Sequence, residues 1–229
     1  DKLGIARVYL KRNASSIVFS NSLAALIKAS NSEVELDIDS VYSFLSIGWI
    51  PTPHSMVRGV EKVPPGTFLQ SGDGTLSQTT YYDVAHTAKS LEQRSPADLK
   101  KQVTEHLDRS IDRGLSLGGR WGSFLSGGVD SSSVVASLGR NLPRGFPTYF
   151  GGFSAQLNRY LPNPEEPAMS ELVASKYHAD HHMLWLGPEA VETAAEIVAA
   201  LEEPVCDGGC IIVGEVMRAA VGRADGLMT

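Results

Sequence analysis

The residues best suited to chemistry in this sequence form a glycine- and serine-rich stretch between a strand-like run and a helix-like run. Two adjacent glycines, Gly127 and Gly128, have no side chains and let backbone N–H groups approach an anion closely. Ser126 and Ser131 add hydroxyl groups, and the N–H groups at the start of the following helix attract phosphate. The spacing therefore predicts a phosphate-binding loop rather than a turn that merely caps a helix.

Asp130 lies in the same loop, where its negative charge would repel a bare phosphate. The placement makes chemical sense if Mg²⁺ lies between the two, because this ion is commonly held by one or two carboxylates together with phosphates. Asp130 is therefore predicted to be a metal ligand and a catalytic residue. Two other phosphate loops are excluded, since the stretch has neither the Lys-Ser/Thr pair of a Walker A loop nor the spacing Gly-x-Gly-x-x-Gly.

An alternation of strands and helices is predicted to position this loop. The predicted strands are Trp121–Leu125, Pro147–Phe153, His182–Leu186 and Gly226–Met228. The predicted helices are Ser131–Leu138, Glu166–Tyr177, Pro188–Leu201 and Ile211–Val221. Repeated strand–helix units imply an α/β fold with a doubly wound parallel sheet, whose ligands bind at the carboxyl ends of the strands.

The first part of the chain has a different pattern. It predicts strands at Ala6–Leu10 and Ser16–Ser20 around a turn at Asn13–Ser15, helices at Leu23–Ala29 and Asp39–Ile47, and a hairpin from Thr67 to Tyr82 around Gly72–Gly74. Gly48 is expected to end the second helix. The polar run Ala85–Arg94 is the predicted domain boundary. Ser95 then caps a long helix in which apolar residues recur every fourth position from Leu99 to Leu115, which predicts one buried face.

Composition excludes several classes of protein. The 229 residues are 42% hydrophobic with a formal charge of −6, and no long Lys/Arg run offsets that charge, which argues against nucleic acid as a partner. No apolar run of about 18 residues is present, so no membrane span is predicted. Cys206 and Cys210 are too few for a disulfide framework, so we expect two buried thiols and a reducing, cytoplasmic compartment.

The run Ser-Gly-Gly-Val-Asp-Ser at 126–131 resembles the PP-loop signature of the ATP-pyrophosphatase superfamily. Asparagine, GMP, NAD and argininosuccinate synthetases and some tRNA-modifying enzymes share that signature. The resemblance implies that the phosphate belongs to ATP, which is split to AMP and pyrophosphate. The nucleotide-binding residues predicted on this basis are Leu125, Ser126, Gly127, Gly128, Val129, Asp130, Ser131, Ser132 and Gly151.

Other stretches are similar to glutamine-hydrolysing asparagine synthetases. They are Leu3–Ile5, Phe19–Leu26, Tyr42–Gly66, Tyr81–Asp83, His181-His182, and Leu201–Pro204 with Asp207. The resemblance implies that residues 1–85 are the C-terminal part of an α+β, N-terminal-nucleophile-type glutaminase domain with a linking segment. Residues 86–229 would then be a synthetase domain of the ATP-pyrophosphatase type, incomplete at its C-terminal end, and the chain is expected to be part of a longer protein.

The activity implied by the resemblance is that of an ATP-dependent amide-forming ligase. It would adenylate a carboxylate, with aspartate as the leading candidate, release AMP and pyrophosphate, and take ammonia from glutamine. ATP and Mg²⁺ are the expected cofactors, and a homodimer is one assembly left open. The resemblance gives Glu203 a catalytic role and makes Asp207 a candidate for the active site. The alternative for Glu202, Glu203 and Asp207 is that they are solvated acids after a helix.

Three departures from the family pattern keep alternatives open. Asp1 is not the family's catalytic N-terminal cysteine, Gly118-Gly119-Arg120 stands where Asp-Val-Pro is frequent, and Gly151 stands where Val often lies near adenine. The alternatives are a β-lactam-synthetase-like or lasso-peptide-cyclase-like enzyme without glutaminase activity, and a non-catalytic nucleotide-binding module. Two further expectations concern His181-His182, expected to be structural for lack of a third metal ligand, and Lys62, expected to be an exposed loop residue.

Overall fold

The computed structural model describes residues 1–13, 16–31, 33–72, 75–89, 94–154 and 164–229. Contacts between residues divide the chain into two compact units. Unit 1 comprises Asp1–Gln93 and Val198–Asp207, and unit 2 comprises Arg94–Ile197 and Gly208–Thr229. The domain boundary expected between residues 85 and 86 stays a prediction.

Unit 1 contains a three-stranded antiparallel sheet and a separate hairpin. The strands are β1 (Tyr9–Arg12), β2 (Ile17–Ser20), β3 (Val60–Lys62), β4 (Thr67–Gly72) and β5 (Thr75–Thr80). The sheet order is β2-β1-β3, so Tyr9 pairs with Ser20 on one side and with Lys62 on the other. The hairpin pairs β4 with β5, and Thr67 lies opposite Thr80.

The helices of unit 1 begin and end at residues suited to those positions. They are α1 (Leu23–Ser30), α2 (Ile38–Ile47) and α3 (Val84–Lys89). The side chains of Ser22 and Asp37 each accept a hydrogen bond from a backbone N–H in the first turn of α1 and α2, respectively. Gly48 ends α2 with a φ of 83°, as expected. A small core packs the first helix on the sheet through Tyr9, Leu23, Leu26, Val57 and Val60.

Unit 2 is built on four parallel strands in the order β8-β7-β6-β9. They are β6 (Trp121–Phe124), β7 (Pro147–Phe153), β8 (Asp180–Leu186) and β9 (Gly226–Met228). The chain moves outward from β6 through β7 to β8 and later places β9 on the other side of β6. This reversal creates a topological switch point at the carboxyl end of β6, which is where open α/β sheets bind ligands.

Helices pack against this sheet through two clusters of apolar side chains. The helices are α4 (Pro96–Leu115), α5 (Val129–Asn141), α6 (Glu166–Lys176), α7 (Ala190–Leu201) and α8 (Gly209–Ala220), and the last residues of α7 belong to unit 1. One cluster joins α4, α5 and α6 through residues such as Ile111, Leu138 and Ala174. The other joins β7 and α8 through Tyr149 and Val216. The doubly wound parallel sheet expected from the sequence is confirmed.

Every predicted strand and helix has a counterpart, although several boundaries differ. Strand β1 begins at Tyr9 instead of Ala6, and α5 begins at Val129 instead of Ser131, so Asp130 lies in the first helical turn and not in a loop. Strand β3 and helix α3 were not predicted. The expected turn residues at 14–15 and 73–74 lie outside the described residues. In the described part of the chain, no helix is both long and apolar enough to cross a membrane.

Candidate functional site

The predicted phosphate loop begins where β6 ends. Leu125 is fully buried, and its N–H donates to the carbonyl of Tyr149 at 2.8 Å, which fixes the start of the loop against β7. Ser126 is exposed, and its N–H donates to Oγ of Ser131 at 3.1 Å. The two serine hydroxyl oxygens lie 3.0 Å apart. These contacts connect the two ends of the loop and hold it in one shape.

Gly127 must be a glycine for two reasons. Its φ is +85°, a conformation that residues with a Cβ rarely adopt. A Cβ at this position would also lie 2.6 Å from the carbonyl oxygen of Glu166, and 2.9 Å from both Cβ of Met169 and N of Ser170. The loop therefore packs directly against the first turns of α6, with no room for a side chain between them.

Helix α5 begins with N–H groups that have no acceptor among the described residues. Gly128 is the N-cap residue and supplies no side-chain acceptor. Within the described chain, no acceptor is present for the N–H groups of Val129, Asp130 and Ser131, whereas that of Ser132 donates to the carbonyl of Gly128 at 3.0 Å. Free N–H groups at a helix N-terminus carry partial positive charge and bind phosphate well.

The carboxylate of Asp130 is free to bind a cation beside these N–H groups. The residue is exposed, and among the described residues it has no hydrogen-bond or ion-pair partner. The described ranges contain no group of three or more His, Cys, Asp or Glu side chains that could hold a metal ion. A cation at Asp130 would therefore take its other contacts from the phosphates of a ligand and from water, which suits Mg²⁺.

Two buried hydroxyl groups at this edge of the sheet also lack partners in the described structure. They are Oγ of Ser132, in the first turn of α5, and Oγ of Ser154, directly after β7. A buried polar group without a partner costs about 1–3 kcal/mol, and a bound ligand or water is the usual explanation. Ser132 was predicted as a nucleotide-binding residue. Ser154 was not, and the only sequence signal for it is its position after a strand.

Gly151 lies in β7, where helix α8 packs directly on the strand. A Cβ here would lie 2.4 Å from Cγ2 of Ile212 and 2.9 Å from Cγ2 of Val216. The close approach of the helix is therefore sufficient to explain the glycine. The nucleotide contact expected of Gly151 stays a prediction.

The adjacent histidines of β8 have different partners. Nδ1 of His181 lies 2.9 Å from Oγ1 of Thr148, and its Nε2 lies 3.1 Å from Oγ of Ser170. The ring of His182 stacks on Tyr149 with 5.2 Å between centroids, and its Nε2 lies 3.1 Å from the carboxylate of Asp180. The rings of both histidines therefore contact other side chains of unit 2.

The run Gly118-Gly119-Arg120 has a structural explanation in unit 2. The backbone N–H of Arg120 donates to the carboxylate of Asp225 at 2.8 Å, and its Nη1 donates to the carbonyl of Gly222 at 2.9 Å. Gly119 has a φ of +90° and lies against Asp225. These contacts join the starts of β6 and β9, at the opposite edge of the sheet from the phosphate loop.

Glu203 lies in unit 1 and is buried in a polar cluster. Its Oε2 accepts a hydrogen bond from Nζ of Lys62 at 2.9 Å, and its Oε1 accepts one from the N–H of Met56 at 3.3 Å. Nζ of Lys62 also donates to the carbonyl of Ile50 at 2.9 Å. Lys62 is 8% exposed, so the expectation of an exposed loop lysine is wrong, because β3 turns this side chain inward toward two acceptors. The catalytic role of Glu203 stays a prediction.

Glu202 was not predicted to have a role, and it caps helix α1. Its carboxylate accepts hydrogen bonds from the hydroxyl of Ser22 and from the N–H groups of Leu23 and Ala24, at 2.5, 2.7 and 3.2 Å. Burial raises the pKa of Glu202, but these hydrogen bonds outweigh it and hold the pKa below its ordinary value. The sequence offered no signal, because Glu202 and Ser22 are 180 residues apart.

The two cysteines are free, as expected of a chain without a disulfide framework. Cys206 is exposed and Cys210 is partly exposed, so the expectation of two buried thiols is wrong. Cys206 lies in an extended segment after α7 that is fixed by its backbone, since its N–H donates to the carbonyl of Gly48 at 3.1 Å. That bond leaves the side chain in solvent.

A doubly wound parallel sheet with a glycine–serine loop at its switch point places this chain among the open α/β proteins, which bind ligands at that point. Comparison with known families is consistent with this class. A model of the asparagine synthase family matches residues 102–226, which is more than half of the chain, and a model of the glutamine amidotransferase domain matches residues 1–82. The chain therefore belongs to the asparagine synthase family.

Two individual proteins with similar sequences are named as asparagine synthetases. Asparagine synthetase [glutamine-hydrolyzing] 1 of Bacillus subtilis (strain 168) is 28% identical over 157 residues, which are 68% of this chain and 24% of the relative. A putative asparagine synthetase [glutamine-hydrolyzing] of Mycobacterium bovis is 24% identical over 225 residues, 96% of this chain and 34% of the relative. This chain thus spans about a quarter to a third of the length of these relatives.

Proposed function

We propose that this chain carries the ATP-binding part of an ATP-dependent amide-forming ligase and part of its glutaminase domain. The ligase adenylates a carboxylate, with aspartate as the leading candidate, and uses ammonia from glutamine to form the amide. The observation that carries the proposal is the loop at residues 126–132, where three N–H groups at the switch point of the sheet have no acceptor in the described part of the chain. The names of the relatives support aspartate and glutamine as substrates.

The loop supplies the groups that a pyrophosphate needs. The N–H groups of residues 129–131 and the hydroxyls of Ser126 and Ser132 face a bound anion in this proposal, and Gly128 leaves room for its oxygens, while Gly127 lets the loop pack against α6. Leu125 fixes the start of the loop. Gly151, on the neighbouring strand, is the proposed neighbour of the adenine.

The proposed chemistry has two steps. A carboxylate oxygen attacks the α-phosphorus of ATP, the bond from that phosphorus to the bridging oxygen breaks, and pyrophosphate leaves. Ammonia then attacks the carbonyl carbon of the acyl-adenylate, AMP leaves, and a proton passes to solvent. Negative charge grows on the leaving pyrophosphate in the first step, and the fixed N–H groups of α5 stabilise it because they are already oriented.

Asp130 is the residue that would hold Mg²⁺. Its exposed carboxylate, without a partner in the described chain and next to the free N–H groups, is suited to an ion shared with phosphates. When bound, Mg²⁺ offsets charge on the leaving group. Glu203 is the second catalytic residue proposed from the resemblance.

The experiment that tests the function is ATP–pyrophosphate exchange by the full-length protein against a panel of carboxylates. Aspartate-dependent exchange is the expected result. Exchange with another carboxylate, together with no glutamate release from glutamine, would favour the β-lactam-synthetase-like or cyclase-like alternative. Binding of ATP without exchange for any carboxylate would contradict the proposal and favour a non-catalytic module.

We also propose a cytoplasmic location, because the two thiols are free and a reducing compartment would keep them so. A homodimer is the assembly we propose to test first, by light scattering of the full-length protein. Small-molecule substrates, and not nucleic acid, are the proposed partners, in keeping with the net charge of −6.

A further inference from the structure

His181 is the centre of a row of hydrogen bonds that crosses unit 2 from β7 to α6. Its Nδ1 lies 2.9 Å from Oγ1 of Thr148 on the neighbouring strand. Its Nε2 lies 3.1 Å from Oγ of Ser170 in α6, and that hydroxyl donates to the carbonyl of Pro167 at 2.7 Å. Thr148 and Ser170 are fully buried, so these contacts are shielded from water.

The hydrogen-bond partners are the basis on which we assign the ring proton of His181. The hydroxyl of Ser170 donates to the carbonyl of Pro167, which can only accept. We therefore assign Oγ of Ser170 as the acceptor of Nε2–H of His181, and Nδ1 as the acceptor of the hydroxyl of Thr148. In this neutral form each ring nitrogen has one partner, and the row runs in one direction from the strand to the helix.

Ser170 is also one of the residues of α6 that contact the phosphate loop. The space where a Cβ of Gly127 would lie is 2.9 Å from the backbone N of Ser170. The same contact surface includes Glu166 and Met169, from the first turns of α6. Ser170 therefore contacts His181 through its side chain and the phosphate loop through its backbone, so a shift of this helical turn would reach Gly127 directly.

We propose that His181 is a positioning residue of the phosphate loop, which it holds in its anion-binding shape through Ser170 and the first turns of α6. The inference rests on the proposed function, since it concerns the same loop, and it gives a role to a residue that has no place in the chemistry itself. The ring of His181 contacts Thr148 and Ser170. It acts by fixing the surface on which Gly127 packs.

The charges around His181 are consistent with a neutral ring. Burial lowers its pKa and His182 acts in the same direction, while Glu171 of α6, a backbone hydrogen bond with Thr148 and Asp180 of β8 raise the pKa. The net pKa lies below the ordinary value of 6.5. The ring is therefore mainly neutral at pH 7, the form in which one ring nitrogen donates and the other accepts.

The test is calorimetric titration of the full-length protein with inorganic pyrophosphate, with magnesium in the buffer, at pH 7.5. Ser170→Ala removes the hydroxyl that contacts Nε2 of His181, and alanine preserves helix α6 because it has a high helix propensity. His181→Asn keeps an acceptor near Thr148 but is too short to reach Ser170. Both variants are expected to bind pyrophosphate about tenfold more weakly, which corresponds to about 1.4 kcal/mol.

Two further variants act as controls. His181→Gln places an amide donor toward Ser170 and is expected to bind pyrophosphate within about threefold of the unmodified protein. His182→Asn removes the neighbouring ring, which stacks on Tyr149, and is expected to lower the melting temperature without changing pyrophosphate affinity. This second control separates positioning of the loop from a general loss of stability.

The outcomes distinguish the positioning role of His181 from the proposed function. Unchanged affinity in folded Ser170→Ala, or an equal loss of affinity in His182→Asn, would overturn the role of His181 while leaving the proposed function intact. Failure of the unmodified protein to bind pyrophosphate would instead overturn the phosphate site and the inference that rests on it. Ser170→Ala keeps the test decisive even if the His181 variants do not fold.

Discussion

Replacement of Lys62 by Met should destabilise unit 1 severely, because it leaves a buried carboxylate without its cation. The side chains of Lys62 and Glu203 are 9% and 6% exposed, and Nζ lies 2.9 Å from Oε2. After the change, Glu203 would keep only the N–H of Met56 at 3.3 Å and Arg7, whose Nη1 lies 4.0 Å away. Neither contact replaces a direct charged hydrogen bond.

The expected loss is about 3–5 kcal/mol, the usual cost of removing one partner of a buried ion pair. Such a loss is a large part of the stability of a typical domain, which is about 5–15 kcal/mol. The double variant Lys62→Met/Glu203→Leu should recover most of it, because no unpaired charge remains and two apolar side chains fill the space. The recovery measures the coupling between the two residues.

Urea denaturation combined with hydrogen exchange of the amides of β1 and β3 reports this loss in unit 1. The neighbouring residue supplies a matched control, since Glu61 also lies in β3 and pairs with Arg12 at 3.3 Å, with both side chains 54% exposed. Glu61→Gln should change stability by less than about 1 kcal/mol. A Lys62→Met variant that costs no more than this control, or a double variant less stable than both single ones, would refute the reasoning.

Three other predictions concern the site and its surroundings. Asp130→Asn should keep the fold and lower Mg²⁺-dependent ATP cleavage by about 10²–10³-fold, and near-normal cleavage by the folded variant would contradict the metal role. Phosphorus NMR of the reaction should show AMP and pyrophosphate, whereas ADP and orthophosphate would mean that the loop is misinterpreted. Because the pKa of Glu202 is held below its ordinary value of 4.5, its stabilisation should be present above that pH and disappear as the pH falls. Glu202→Gln should remove that part of the pH dependence and cost about 0.5–2 kcal/mol at pH 7, as measured by urea denaturation.

The features predicted correctly from the sequence depend on neighbours in the chain. Ser95 caps α4 as expected, because its Oγ accepts from the N–H of Asp98, three residues on. The parallel sheet was likewise predicted from repeated strand–helix units. In each case the physical cause, a local hydrogen bond or a backbone preference, lies within a few positions of the residue concerned.

The four-residue spacing of apolar side chains in α4 did not predict its buried face correctly. Residues at every fourth position were expected to form one buried face from Leu99 to Leu115. Four residues of an α-helix turn through about 400°, so each step moves about 40° around the axis. Ile111 is 3% exposed, whereas Val103 is 67% exposed. A repeat of three and four residues in alternation is needed to keep one face toward the core.

The contacts of the adjacent acids Glu202 and Glu203 could not be predicted from the sequence. Their position after a helix suggested solvated charges, and the resemblance suggested an active-site role for Glu203. In unit 1 both carboxylates accept hydrogen bonds from residues more than a hundred positions earlier, and these contacts exist only after folding. Loss of activity in a Glu203 variant therefore has meaning only when its stability is measured as well. Asp130 differs, because its carboxylate has no partner in the described chain, and its replacement tests the chemistry directly.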